Sequence, residues 1–437
     1  MGDRRRRPGK ELASEYTSSG DPRDGNLGND TPIVITDNQG RMLVIDSNKI
    51  PDTPLWKANC NGRHCTAISK RSNEAYHMYN TLLQCQHPNM LQPIGVWMDP
   101  ADSSKAYIVV NLLDNALSSV AVEQLFHKEK TYLNGFTEFG IEVFKEIFSA
   151  IHYVNTKYKG GGGTSSSTSS DQIELLPMML EPRNIFLRTT RGFSSQVFVG
   201  NFKLKLSDEY IRRTNKRCII ESTREDFVAA HWKEIARTIS TLSGDQINAH
   251  GNEELKQLVA LLSEGNVRYD ELLWQPALWD AYTKMHFIRE IFWLLDEQRD
   301  QSDFHSDGFA KTARGKKLMK EKPLGLLSIM LLFTPPMDKT RRPLPIKDDH
   351  MLDSLTFLRH KIVAHYDEEY LQFKGDQREI GTSKFSVEKY IQRNRPDYMI
   401  NLVKAIRKLG WIKESPAMRS ATYYMKTFGE MKLQLKE

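Results

Sequence analysis

Five residues near the carboxyl end are of types that can act on a phosphodiester: Asp353, Arg359, His360, Lys361 and His365. The unperturbed pKa of histidine lies near neutral pH, so an imidazole can accept and donate protons there. A planar guanidinium can bind two oxygens of a phosphate and stabilise the negative charge that gathers when the phosphorus is attacked. These residue types predict phosphodiester chemistry that needs no metal ion.

Simpler interpretations of the same residues remain open. Asp353 and Arg359 could form an ion pair at the protein surface. His365 could be a hydrogen-bonded histidine at the end of a helix. The whole set could also be the remnant of a site that no longer cleaves.

Four segments upstream occur in the order found in protein kinases. Residues 67–70 (AISK) resemble the strand that carries the phosphate-pairing lysine, and residues 87–91 (HPNML) resemble the stretch after the regulatory helix. Residues 180–187 (LEPRNIFL) resemble the end of the catalytic loop, and residues 199–204 (VGNFKL) lie where the D-F-G motif belongs. Residues 33–264 therefore resemble a protein kinase domain.

The nucleotide-binding features of an active kinase are absent from this stretch. A kinase needs a Gly-rich loop so that backbone amides can approach the phosphates. Between Ile50 and Lys70 the single glycine is Gly62. The helix glutamate that should orient Lys70 is expected near His77 or Met78, and neither residue can perform that role.

The catalytic base and the metal ligand are missing as well. Residues 177–179 (PMM) align with the catalytic triplet H-R-D, and Asn201 replaces the D-F-G aspartate that binds magnesium. Without both groups, phosphoryl transfer loses its positioning and its charge neutralisation. The resemblance therefore implies a pseudokinase, and residual serine/threonine kinase activity would require acids from elsewhere in the chain.

Nucleotide binding without catalysis remains an expectation. ATP or ADP in the pseudokinase pocket would contact Lys70, Asn111 at the hinge, Asn184 and Asn201. The alternative interpretation is that these residues are ordinary fold-supporting positions.

A second resemblance covers residues 266–437. Residues 272–291 resemble the helix that opens a kinase-extension nuclease (KEN) domain of the ribonuclease L family. Residues 353–360 (DSLTFLRH) are similar to the family pattern D-L-L-x-x-x-R-N, and residues 361–366 (KIVAHY) resemble the segment that ends in the catalytic histidine. Residues 385–409 resemble the closing helices of the domain.

This resemblance assigns a role to each of the five residues. His365 is the expected general acid/base, Arg359 binds the scissile phosphate, Asp353 orients one of them, and Lys361 adds positive charge. His360 occupies a position where the wider HEPN group of ribonucleases accepts Asn, Asp or His. The implied reaction is endonucleolytic RNA cleavage by attack of the 2′-hydroxyl, without a cofactor.

One spacing departs from the family. The family histidine follows the arginine by five residues, whereas His365 follows Arg359 by six. An extra residue in a helix rotates a side chain by about 100°. Cleavage therefore requires the helix to end near residues 362–363, so that a turn absorbs the change.

The elements that must position these residues follow from apolar spacing. Short β-branched runs separated by turns predict strands over residues 31–110, and an apolar period of three to four residues predicts helices from Phe136 onward. The predicted fold is an α+β bilobal kinase-like domain followed by an all-α KEN (HEPN-like) domain. Expected boundaries are a disordered basic tail over 1–30, a pseudokinase domain over 31–265 with a flexible insertion at 159–171, and a nuclease domain over 266–437.

Composition narrows the class of partner. The net charge of +6 equals the excess of 20 basic over 14 acidic residues in positions 338–437. This excess suggests a polyanionic partner such as RNA, and a solvated charged surface is the alternative interpretation. Four cysteines are too few for a disulfide framework, and Cys60, His64 and Cys65 lack a second ligand pair at zinc spacing. No apolar run reaches the ~20 residues of a membrane span.

These features predict a cytoplasmic protein, with Arg4 to Arg7 as a candidate nuclear signal. By the family analogy, two copies are expected to pair, and dimerisation would control cleavage. The rival hypothesis is a catalytically silent scaffold that binds RNA or related chains.

Overall fold

Six antiparallel strands form the first part of the chain in the computed structural model. Their order in the sheet is β1-β2-β3-β4-β6-β5. Their bounds are β1 Ile33–Thr36, β2 Met42–Lys49, β3 Leu55–Cys60, β4 Arg63–Arg71, β5 Pro93–Met98 and β6 Lys105–Asn111. Helix α1, Ser72–Gln84, connects β4 to β5 and packs on the sheet. We call residues 32–111 the sheet lobe.

The structure describes most of the chain between residues 32 and 419. The described ranges are 32–37, 39–50, 53, 55–127, 135–157, 175–189, 195–200, 202–204, 224–248, 252–296, 312–330, 347–358 and 390–419. The predicted tail over 1–30 and the predicted insertion at 159–171 lie outside these ranges. So do Asn201, Arg359, His360, Lys361 and His365.

The sheet lobe is packed on both faces because successive side chains of a strand point to opposite sides. One face of β4 contributes Cys65 and Ala67 to a small cluster that also contains Trp97 and Tyr107. The other face contributes Ile68 to the main core. This main core continues from the sheet lobe into the last described helix of the chain without interruption.

Most of the described residues after position 111 are helical. They also include five short strands: β7 Asn115–Ala116, β8 Leu175–Met178, β9 Phe186–Thr189, β10 Ser195–Phe198 and β11 Phe202–Leu204. The helices are α2 Val122–Leu125, α3 Glu138–Lys157, α4 Arg224–Ser243, α5 Glu253–Glu264, α6 Tyr269–Leu273, α7 Ala281–Asp296, α8 Ala313–Leu318, α9 Leu327–Met330, α10 Met351–Leu358 and α11 Tyr398–Leu409. Residues 390–394 and 416–419 are also helical. We call α6 to α11 the distal helices.

This order of a curled antiparallel sheet followed by helices agrees with the predicted bilobal, kinase-like architecture. It does not identify the distal helices as a KEN domain, so that assignment and the boundary at 265 stay predictions. None of the helices in the described ranges combines the length and the hydropathy that crossing a membrane requires.

The apolar period of three to four residues that predicts helices from Phe136 onward places helices at residues 278–295, 324–333 and 398–409. The first two of these begin later in the structure than predicted. The helix predicted over 278–295 starts at Ala281, because the Asp280 carboxylate accepts a hydrogen bond from the N–H of Thr283 and caps it. The helix predicted over 324–333 starts at Leu327, after Gly325 with a φ of 72°. A residue in that left-handed conformation cannot continue a helix.

A buried ion pair joins the distal helices to the preceding part of the chain. Nζ of Lys284 on α7 lies 2.8 Å from Oε2 of Glu254 on α5, and both side chains are only 5–6% exposed. The Trp279 and Phe287 rings, which flank Lys284 in the sequence, pack against each other in a tilted arrangement with ring centroids 5.0 Å apart. Because the charges are enclosed by packed side chains, the pair fixes how α7 sits on α5.

Removing the lysine tests this link. We expect Lys284→Met to lower the free energy of unfolding by about 3–5 kcal/mol, because it leaves the Glu254 carboxylate buried without its counter-charge. The double variant with Glu254→Leu should recover most of that loss. Arg268→Met is the control, since its ion pair with Asp270 is exposed and should contribute under about 1 kcal/mol. Equal losses in urea denaturation for the two single variants would contradict a fixed link.

Candidate functional site

The segment that links the sheet lobe to the helices forms its hydrogen bonds within the chain. The N–H of Leu113 donates to Oγ1 of Thr66 on β4 at 3.0 Å, in buried surroundings. Asn111, at the end of β6, accepts through Oδ1 from Nη2 of Arg63 at 3.2 Å. A ligand at this hinge would therefore have to displace bonds that the chain already makes.

Apolar side chains fill the space beside this hinge. Leu55 and Ile68 are direct partners across β3 and β4. These two residues and Leu113 are 0–2% exposed and belong to the main core. Interiors packed in this way leave little room for a planar ring. The geometry therefore favours the alternative interpretation, in which the hinge residues support the fold, over a nucleotide site.

Gly62 belongs to a hairpin turn. It follows Asn61 between β3 and β4, and the φ angles of the two residues are 51° and 81°. Two successive left-handed residues form the tight turn that matches the twist of a β-hairpin. The single glycine between Ile50 and Lys70 therefore serves strand pairing.

Lys70 lies near the end of β4, two positions beyond Ile68 and on the same face of the sheet. Helix α1 follows at once, and the two positions considered for an orienting glutamate have apolar surroundings. Met78 is buried in the main core, and burial lowers the pKa of the half-buried His77. Neither side chain supplies a negative charge for Lys70.

Helix α4 holds the segment that aligns with a catalytic loop. Nε2 of His231 accepts a hydrogen bond from the N–H of Met178 at 2.8 Å, and Oε1 of Glu234 accepts from the N–H of Leu180 at 3.1 Å. Thr238 donates to the carbonyl of Leu180 at 2.5 Å. One face of α4 thus fixes the backbone of this loop at Met178 and Leu180. The side chains at these two positions are apolar and cannot accept a proton.

The remaining nucleotide candidates fall in different surroundings. Asn184 ends a 3₁₀ turn, Pro182–Asn184, and its side chain is buried. Asn201 lies outside the described residues, so its relation to Lys70 is not part of the structure. Asn111, Asn184 and Lys70 remain candidates on sequence grounds alone.

The turn at His87 connects three parts of the molecule. Nδ1 of His87 accepts from the N–H of Asn89, so Nε2 carries the proton and donates to Oγ of Ser149 on α3 at 3.2 Å. Ser149 is in turn hydrogen-bonded to the hydroxyl of Tyr269 on α6. Burial lowers the pKa of His87 to about 4, which keeps this imidazole neutral.

Glu146 reinforces the same turn. Its Oε2 accepts from Nδ2 of Asn89 at 2.8 Å and from the N–H of Val197 at 2.7 Å. Burial raises the pKa of Glu146 to about 7, against the effect of these two bonds. A buried carboxyl therefore links the turn to strand β10.

The side chain of Asp353 accepts hydrogen bonds at the start of its own helix, α10. Its Oδ2 accepts hydrogen bonds from the N–H groups of Asp349 and His350, each at 3.1 Å. A carboxylate in the first turn of a helix satisfies N–H groups that have no partner within it. Asp353 therefore closes the start of α10. The structure does not place it relative to Arg359, His360, Lys361 or His365.

The cysteines considered as metal ligands lie inside the sheet lobe. Cys60 and Cys65 are buried on β3 and β4, and burial raises the pKa of Cys65 to about 11. A thiol held in its protonated form is a poor ligand, because metals bind the thiolate. Within the described ranges, His, Cys, Asp and Glu side chains form no group of three or more that could hold a metal ion.

The sequence patterns did not reveal several residues that organise this region. Thr66, Glu146, His231, Glu234 and Thr238 make the bonds that fix the hinge, the turn and the loop. The last three recur at helical spacing among apolar neighbours, which is a usable signal of a polar stripe facing the interior. Thr66 gives no such signal, because a threonine is ordinary in a strand.

Comparisons with known proteins give little guidance. No family model and no curated protein matches this chain. The chain is similar to the crystal structure of Rad53 1-466 in complex with AMP-PNP, a protein kinase, with 13% identity and a TM-score of 0.33. The match covers 54% of this chain and 65% of that one, just under two thirds of its length. Similarity at this level carries no functional argument.

The closed hinge leads to a prediction about nucleotide. We expect AMP-PNP at millimolar concentration to leave the melting temperature of the protein unchanged, because the Leu113 N–H is already bonded and Leu55 and Ile68 occupy the adjoining space. A ligand present at about 100 times its Kd would stabilise the protein by about 2.7 kcal/mol.

Thr66→Val tests the hinge hydrogen bond directly. Valine keeps the volume of the side chain but removes the hydroxyl oxygen that accepts from the N–H of Leu113. It should lower the free energy of unfolding by about 1–3 kcal/mol, because a buried N–H loses its partner. A clear upward thermal shift of the wild type with AMP-PNP would contradict the closed hinge.

The buried histidine predicts an acid-sensitive stability. The unfolded chain takes up a proton at His87 below about pH 6.5, whereas the folded chain resists protonation down to about pH 4. Stability should therefore fall as the pH drops through this window, by at most about 1.4 kcal/mol per pH unit from this group. His87→Gln should reduce that slope in urea denaturation, and His64→Gln, which removes an exposed imidazole, should not. Identical slopes for wild type and His87→Gln would exclude this contribution.

Proposed function

We propose that this protein is a metal-independent endoribonuclease in which a non-catalytic, kinase-like platform carries the distal helices. The observation that supports it most is the anchoring of α10. Asp353 closes the start of this helix, and Leu358 at its end is fully buried. Arg359, His360 and Lys361 follow Leu358 directly in the chain, so they begin from a fixed point.

The proposed reaction uses the ribose of the substrate as its nucleophile. His365 takes the proton of the 2′-hydroxyl or supplies one to the leaving oxygen, which is work for an imidazole near neutral pH. Arg359 binds the non-bridging oxygens of the phosphate and stabilises the charge that develops on them. Lys361 adds positive charge. His360 is the remaining residue of the proposed site, at a position where HEPN ribonucleases accept Asn, Asp or His. No metal ion and no nucleotide takes part.

The described residues support a platform that does not transfer phosphate. The backbone of Met178 and Leu180 is held by α4, yet these positions carry no side chain that could accept a proton from a hydroxyl. Phosphoryl transfer depends on a positioned base and on metal ions that neutralise charge. Kinase activity is therefore not proposed.

RNA and a second copy of the chain are the proposed partners. The excess of positive charge in the last hundred residues would attract a polyanion such as RNA. This attraction does not depend on the base sequence of the nucleic acid. Pairing of two copies follows only from the resemblance to KEN ribonucleases. The buried Lys284–Glu254 pair would transmit such pairing to the distal helices as a rigid unit.

A catalytically silent scaffold is the second candidate, and Asp353 favours it. A carboxylate whose Oδ2 is occupied by two backbone N–H groups has a sufficient structural role without catalysis. In that case the distal helices would bind RNA, or related chains, without cutting.

Cleavage in the absence of metal decides between the two. Purified protein is incubated with a stem-loop RNA in EDTA, and we expect cleavage that His365→Ala reduces by about 10²–10⁴-fold, the usual contribution of a general acid/base. Arg359→Lys keeps the charge but loses the planar two-point contact, so it should also cleave more slowly.

His64→Ala is the control, because His64 is an exposed histidine on β4, in the sheet lobe. Cleavage that is identical in wild type and His365→Ala would assign the activity to a contaminant. The catalytically silent scaffold would then be the remaining candidate function.

A further inference from the structure

One face of α7 carries a line of aromatic and basic side chains, of which Tyr282, Arg289 and Trp293 are exposed and His286 is partly buried. Tyr282, His286, Arg289 and Trp293 recur at intervals of four, three and four residues, which places them within an arc of about 60° on the helix surface. Tyr282 is 57% exposed and Trp293 is 50% exposed, although both are large rings. We call these four residues the aromatic–basic stripe. It spans about 16 Å along the helix axis.

The stripe is organised by contacts among its own members. The Tyr282 and His286 ring centroids are 5.7 Å apart, and the Arg289 guanidinium lies 4.8 Å from the centroid of the Trp293 ring. Within the described part of the chain, Arg289 pairs with no carboxylate. The opposite face of α7 packs into the core through Phe287, Ile288 and Ile291. The buried core contacts of α7 are therefore made by the face opposite the stripe.

We propose that the aromatic–basic stripe binds single-stranded RNA, with bases stacked on Tyr282 and Trp293 and a phosphate bound by Arg289. The choice of RNA as the ligand rests on the proposed function. The stripe would bind the strand outside the residues that cleave it. Aromatic rings that alternate with cations suit this ligand, since every base offers a face for stacking and every linkage a negative charge.

The arrangement fits a nucleic acid better than a second copy of the chain. Interfaces between copies are usually depleted of charge at their centres, whereas Arg289 lies between the two large rings without a counter-charge from the described residues. A span of about 16 Å accommodates about five stacked nucleotides at ~3.4 Å each. A polyanion would supply the charge that Arg289 lacks.

Binding is measured apart from cleavage with a fluorescent 2′-O-methyl RNA of about ten nucleotides, which lacks the attacking hydroxyl. Fluorescence anisotropy in EDTA gives the Kd for the full-length chain. Trp293→Leu keeps apolar area but removes stacking, and we expect it to weaken binding by about 5- to 100-fold. Trp293→Phe keeps a ring and should remain within about threefold of the wild type.

Arg289→Ala tests the phosphate contact. We expect it to lower the slope of log Kd against log salt by about one, the value for the loss of one neutralised phosphate. Tyr76→Leu is the matched control, because Tyr76 is an aromatic residue on α1 that is 47% exposed and lies far from α7 in the sequence. Its Kd should equal that of the wild type.

Three outcomes would overturn the proposal. Wild-type affinity in Trp293→Leu would exclude stacking, and equal weakening by Trp293→Leu and Tyr76→Leu would indicate non-specific adsorption. Sedimentation that shows a dimer in the wild type and a monomer in Trp293→Leu, at unchanged RNA affinity, would assign the stripe to self-association. If RNA binding depends on Trp293 but ordinary RNA is not cleaved, the proposal that the stripe binds RNA is supported and the proposed nuclease function is rejected.

Discussion

The ion pair between Lys284 and Glu254 is the interaction on which the arrangement of this protein depends. Two charges removed from water lose hydration that their attraction barely restores, so such pairs contribute more to orientation than to stability. Here the pair lies where the helices after residue 265 meet α5, and both of its side chains are buried. It links α5 to α7, the helix that carries the stripe.

In the part before this junction, hydrogen bonds fix the backbone of the segments that the sequence aligns with a kinase hinge and catalytic loop. Thr66 occupies the hinge N–H, and α4 fixes a loop without a base through His231 and Glu234. The hydrogen-bond chain from Asn89 through His87 and Ser149 reaches the distal helices at Tyr269. Polar bonds of this kind stabilise one conformation of this part of the chain.

Much of the fold followed from apolar spacing alone, because strands and helices bury one face with a fixed period. The strand with Lys70 and the helix Tyr398–Leu409 were predicted closely. Helix starts were misplaced where a single side chain or glycine decides them, as at Asp280 and Gly325. The hydrogen bond from Leu113 to Thr66 joins residues 47 positions apart and leaves no local pattern. Arg359 and His365, the residues that matter most, remain predictions from resemblance.

The chemistry of the RNA ends tests the account most directly. Attack by the 2′-hydroxyl predicts products with 2′,3′-cyclic phosphate and 5′-hydroxyl ends in EDTA, and no cut where the nucleotide before the scissile bond is 2′-deoxy. Mass spectrometry of the products formed by the wild-type chain, but not by His365→Ala, would show both features. Products with 5′-phosphate ends, or cleavage that appears only with a divalent metal, would contradict the proposed mechanism.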